Sequence, residues 1–221
     1  MLGCTASWLR HGSVPSELLA SGPLIPFGFA ALNSPNLFDA AVDLLVEAVH
    51  YSHDHAQHGA LIGAIVPEVV KLVPRYDAAV ADDDVDAARA LCRLFTETGE
   101  QYLHLLLQNS DAALAVGGAV LRGAQHAEPE VAEITFNFWY ILAQEIAGGG
   151  RALGDAERSA ARDLFAPIYV ALLDSLRVIG ELPADSDTWH ADQRDDFKRF
   201  RYAVGDVITD VCKVRSGSIA G

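Results

Sequence analysis

From Leu37 to Val49 (LFDAAVDLLVEAV) the apolar residues Leu37, Val42, Leu45, Val46 and Val49 recur at helical spacing, while Asp39, Asp43 and Glu47 fall on a separate stripe. A period of 3.6 predicts a helix with one dry and one wet side. The same spacing predicts helices over 60–73, 85–107, 112–125, 129–147, 157–178 and 195–214. No segment sustains the alternation of a half-buried strand, and no Asn-Gly or similar turn joins two β-branched runs. The pattern predicts an all-α protein.

The breaks between these segments are short: Ser34-Pro35-Asn36, the polar run 52–59, Asp82-Asp83-Asp84, His126-Ala127-Glu128-Pro129 and Gly148-Gly149-Gly150. Each supplies a proline, a glycine or an N-capping acid. Pro67 and Pro74 predict that the helix over 60–73 kinks or ends near them, and 182–194 (LPADSDTWHADQR) is the longest polar connection. Taken in pairs, the helices return roughly every 40 to 45 residues, the period of HEAT-type repeats. Periodicity alone leaves a closed helical bundle open. The run Phe136, Phe138, Trp139 argues further, because these rings cannot share one side of a helix. A helix apolar over so much of its girth needs neighbours on two sides, as inside a repeat stack. Phe138, Trp139, Phe165 and Tyr169 are expected in the core between repeats, and Trp189, in DSDTWHAD, as a loop aromatic.

Composition narrows the partners. The 221 residues include 30 acidic and 16 basic side chains, a formal charge of −14, with 51% hydrophobic and 21% charged residues. That is too apolar for a disordered chain. The charge would repel bare nucleic acid or an anionic membrane and favours a basic partner. Cys4, Cys92 and Cys212 lie far apart without a CxxC pair, as expected for reduced thiols. The opening MLGCTASWLRHGSV lacks the regions of a signal peptide. The least charged stretch, 18–38, contains Pro23, Pro26 and Pro35, which would break a spanning helix, so no membrane insertion is expected.

His50, His53, His55 and His58, with Asp54, crowd into nine residues and are zinc-type ligands. With no CxxC or HExxH near them, they are read as a solvated linker after a helix C-terminus, not a metal site. Lys198, Arg199 and Arg201 interleave with Phe197, Phe200 and Tyr202, but flanking acids make this a helix burying aromatics, not a nucleic-acid surface. Gly148-Gly149-Gly150 follows a helix and not a strand, so it is no phosphate loop. Asp82-Asp83-Asp84 is read as complementing a helix start. No nucleophile elbow, cofactor motif or catalytic set is present, and no enzyme or cofactor is expected.

Acids recur on the second helix of successive pairs: Asp39, Asp43 and Glu47, then Glu97 with Glu100, Glu133 with Glu130, and Asp206 with Asp210. In a solenoid those helices line the concave side, where they would form an acidic wall for a basic partner. The plain alternative is the wet face that every amphipathic helix carries.

Three stretches, Ala90–Gly99 (ALCRLFTETG), Glu130–Leu142 (EVAEITFNFWYIL) and Asp196–Asp210 (DFKRFRYAVGDVITD), resemble in order and spacing the middle of nuclear transport receptors of the importin-β superfamily, in the transportin-SR (transportin-3) and importin-13-like branch. The opening, with Cys4, Ser7, Trp8 and Gly12, is similar to that branch's C-x-x-S-W-x-x-x-G pattern. The resemblance implies an all-α solenoid of about four to five HEAT-like antiparallel helix pairs, with residues 1–221 a single continuous segment truncated at both ends. It implies a non-enzymatic import receptor that carries basic or arginine/serine-rich cargo, meets nuclear pore proteins, answers to Ran GTPase, and moves between cytoplasm and nucleus. A helical-repeat scaffold that binds a partner without Ran is the alternative.

Overall fold

A computed structural model describes residues 2–11, 15–148, 153–184 and 186–216. Among them the chain forms α1 (Leu2–His11), α2 (Ser16–Ser21), α3 (Leu24–Ala31), α4 (Phe38–Tyr51), α5 (His55–Val70), α6 (Val73–Ala81), α7 (Val85–Gln101), α8 (Leu103–Leu107), α9 (Ser110–Ala124), α10 (Pro129–Ile134), α11 (Phe136–Ala147), α12 (Asp155–Ile179) and α13 (Ala191–Ser216), with a 3-10 turn at Ser186–Thr188 and no strand. The all-α, helical-repeat class expected from the pattern is the one observed.

The ends of these helices follow from local chemistry. Asp54 caps α5 by accepting from the Ala56 amide at 3.1 Å, and Asp84 caps α7 by accepting from Ala87 at 3.0 Å. Both replace amide partners that a helix start lacks. Asp83 takes φ 57°, the left-handed region that a short polar side chain tolerates. Gly148 closes α11 at φ 96°; the rest of the triglycine lies outside the described residues. Pro67 sits inside α5, whereas Pro74 opens α6, where its missing N–H costs nothing. The expected long helices over 85–107 and 129–147 are each divided, at Tyr102 and at Thr135.

Two expected connections are longer than those observed. The polar run 52–59 is helical from His55 onward, so the connection shrinks to Ser52, His53 and Asp54. Polarity suggested a loop, but the Asp54 cap starts α5 early, and the helix tolerates non-helical angles at His58 (φ −115°, ψ 15°). The connection over 182–194 is likewise shorter, because α13 starts at Ala191.

The chain divides into two compact units, residues 1–119 and 120–221, with the division inside α9. In the first, α1, α4 and α7 lie side by side, α2, α3 and α5 pack on one another as a second layer, and α6 packs on α7. Helix α4 is the centre of this unit. Ala41, Val42, Leu44, Leu45, Val46, Ala48 and Val49 are all at most 2% exposed, each of the larger ones contributing about 1.5–3 kcal/mol by burial. The stretch His55–Ala81 is long and apolar enough to cross a bilayer, but here it turns at Lys71 and Leu72, and α5 packs on α2, α3 and α7.

In the second unit α11 packs against both α12 and α13. Phe138, Trp139, Phe165 and Tyr169 are buried together there, with Trp139 edge-on to Phe138 at 4.9 Å and to Tyr169 at 6.3 Å. Phe136, on the other side of α11, stacks on Phe200 of α13 at 6.0 Å. Two neighbours absorb the wide apolar girth of α11, as the three rings required.

Candidate partner surface

In the first unit the predicted acids lie where α4 meets α1 and α7. Asp39, Asp43 and Glu47 are four apart and so follow one stripe of α4. Asp43 accepts from Arg93 of α7 at 3.0 Å. Glu47 accepts from Nε of Arg10, on α1, at 3.1 Å and from its Nη2. One turn further, Nε2 of His50 lies 2.7 Å from Oε2 of Glu97 on α7.

These pairs make α4 the middle rail of three helices. Glu47 is buried, and its carboxyl is held below the usual carboxylate range chiefly by the Arg10 hydrogen bond, against a desolvation cost that pushes the other way. Asp39 remains exposed. Asp43, Glu47 and Glu97 therefore spend their charge between helices, which lowers what they offer a partner. Sequence reasoning missed Arg10, His50 and Arg93. The available signal was opposite charge one repeat away: the pairs span 37, 47 and 50 residues.

In the second unit, Glu133 is exposed on α10 and Asp206 on α13. Asp210 is 8% exposed and accepts from Lys213 at 2.7 Å. Hydrogen bonding and charge from Asp210 raise the Lys213 pKa above the ordinary lysine range.

Between α10 and α13 the second unit also holds an open cavity of about 630 Å³. Glu128, Pro129, Glu130 and Glu133 line one side, and Trp189, Gln193, Asp196, Phe197, Arg199 and Phe200 the other. Trp189 is not a free loop aromatic. It is half-buried and meets Phe197 edge-on at 5.3 Å. A tryptophan eight residues before the first of two helix phenylalanines was the missed signal. As expected, Phe200 is buried while Lys198 and Arg201 point to solvent.

The histidines do not converge. His50 pairs with Glu97, His53 Nδ1 lies 3.1 Å from the His50 carbonyl, His55 Nε2 lies 3.0 Å from the Gln101 carbonyl, and the His58 ring packs on Tyr51. Among the described residues no three metal-ligating side chains form a group. His55 and His58 belong to α5 and not to the linker expected for them.

Comparison with known proteins gives the lineage. The family model of the transportin-3/importin-13 second TPR domain matches residues 83–178. Transportin MOS14 of Arabidopsis thaliana is 30% identical over 232 residues, covering 98% of this chain and 24% of that protein. Importin-13 of Homo sapiens is 26% identical over 219 residues (94% of this chain, 22% of the relative), and an uncharacterized protein of Schizosaccharomyces pombe is 30% identical over 222 residues (94% and 22%). The chain thus spans about a quarter of the length of the curated relatives it matches. With the helical repeats and the match extending over nearly the whole chain, this protein belongs to the transportin-3/importin-13 family.

Proposed function

We propose that these residues are a continuous solenoid segment of a karyopherin-type nuclear import receptor, a carrier and not an enzyme. The parent would take basic or arginine/serine-rich protein cargo in the cytoplasm, pass the pore through contacts with nuclear pore proteins, and release the cargo when Ran-GTP binds in the nucleus. The observation that carries this reading is the alignment with a transportin and an importin over 94–98% of the chain.

The physics is compatible with that role. A stack in which each repeat touches its neighbours converts small rotations between helix pairs into a change of curvature, and so into gain or loss of a partner surface. Exposed Asp39, Glu133 and Asp206 supply attraction for a cationic cargo, while Asp43, Glu47 and Glu97 keep the helices of the first unit in register. Asp210 sits with Lys213 and contributes less.

The test uses the receptor containing this segment together with an arginine/serine-rich protein. Cargo bound in the absence of Ran and lost on adding Ran-GTP is the expected result. Cargo held equally with and without Ran-GTP would replace this reading with that of a Ran-independent helical-repeat scaffold.

A further inference from the structure

The groove between α10 and α13 has a chemistry more specific than negative charge. Its exposed rim carries the carboxylates of Glu128, Glu130, Glu133 and Asp196, against one guanidinium, Arg199, which is hydrogen-bonded to Asp196. Its apolar wall is Trp189 edge-on to Phe197, with Phe200, 3% exposed, behind them.

The wall is held in place. The Trp189 amide donates to the Ser186 carbonyl at 3.2 Å, Arg194 donates to the Asp187 carbonyl at 3.1 Å, and the His190 amide donates to Gln193 Oε1 at 2.9 Å. A connection that looks like a polar loop thus presents an oriented indole beside acids.

We propose that this groove binds an arginine-bearing segment of a basic protein partner. The proposal rests on the reading of the chain as a carrier of basic protein and names the side chain that one part of its surface selects. A guanidinium satisfies both halves of the groove, because its flat face lies on an aromatic ring while its edge donates to a carboxylate. A lysine ammonium is a strongly hydrated point charge and loses more on meeting the indole. Nucleic acid is repelled by the rim, and a purely apolar segment would add no opposite charge to a rim on which four carboxylates meet one guanidinium.

The full chain, titrated by fluorescence anisotropy with labelled nine-residue arginine and lysine peptides, tests the inference at low and at physiological salt. The arginine peptide is expected to bind about five- to tenfold more tightly than the lysine peptide, the range a cation–π contact supplies. Trp189→Ala should erase that preference and Trp189→Phe should keep part of it. Glu130→Gln with Glu133→Gln should weaken both peptides, while Asp111→Asn, at an exposed acid outside the groove, should leave both unchanged. Thermal melts of each variant establish that it is folded.

Equal binding of the two peptides, a preference that survives Trp189→Ala, or no binding at low salt would overturn the groove. Binding lost on Asp39→Asn and indifferent to the groove variants would also overturn it, leaving the acids of α4 as the cationic surface. Conversely, arginine selectivity in the groove with no Ran-GTP effect on the receptor would uphold the groove and sink the import reading.

Discussion

The hydroxyls of Tyr102 and Ser52 lie 2.5 Å apart, both buried, although fifty residues separate them. Ser52 sits just past the end of α4 and donates its proton to the Ala48 carbonyl at 2.7 Å, so Tyr102 must be the donor to Ser52. Burial pushes the Tyr102 pKa far above its ordinary value. The two truncations are therefore unequal. Tyr102→Phe removes a donor and leaves Ser52 bonded, costing about 1 kcal/mol, whereas Ser52→Ala strands the tyrosine hydroxyl and should cost about 1–3 kcal/mol. Urea melts of the two variants measure the difference, and a larger loss for Tyr102→Phe would contradict the assigned direction.

Trp139 is fully buried, its indole N–H donating to Thr135 Oγ1 at 3.2 Å, while Trp189 is half-exposed on the groove. Trp139→Ala should cost about 3–5 kcal/mol. Trp189→Ala should cost less than half of that. Equal shifts of the denaturation midpoint would mean that the groove wall is part of the core.

None of the three cysteines is in a disulfide; Cys92 is buried and Cys4 and Cys212 are exposed. Burial pushes the Cys92 thiol up to about 12, against a smaller opposing pull from a Thr96 hydrogen bond. Since the thiolate is the reactive form, a thiol reagent at pH 8 should label two sites quickly and the third only after denaturant is added. Fast labelling of all three in the native protein would show that α7 opens locally.

For Glu47 the sign of the pH effect follows from its lowered folded pKa. A depressed carboxyl contributes stability above its unfolded pKa, about 4.3, and loses that contribution as pH falls through the lower folded value. Glu47→Gln should therefore destabilise the protein at pH 7. The gap between wild type and variant should close as pH falls below about 4. Chemical denaturation from pH 7 to pH 3 reads this directly, and a gap independent of pH would assign the loss to packing instead.

The helices were legible because their apolar stripes are long and their breaks carry ordinary capping chemistry, as at Asp84. The girth of α11 likewise announced neighbours on two sides. Polarity misled at 52–59, where a cap and not hydrophobicity decides the helix start. The acid stripe was legible as a stripe but not as a set of ion pairs, because Arg10 and Arg93 sit on other helices and only the packing brings them to α4. The groove was invisible for the same reason: Glu130 and Trp189 are far apart in sequence, and each looks unremarkable in its own segment.

The polar pairs along α4 each reach one neighbouring helix, α1 through Arg10 and α7 through Arg93 and Glu97. A unit fastened by such short-range stitches parts one helix at a time and need not open all at once. Amide protons of α4 should then be among the slowest of the unit to exchange, since their release requires both of its flanks to part. Small rotations of α1 or α7 would each strain one set of these stitches, with α4 serving as the fixed spine of the unit.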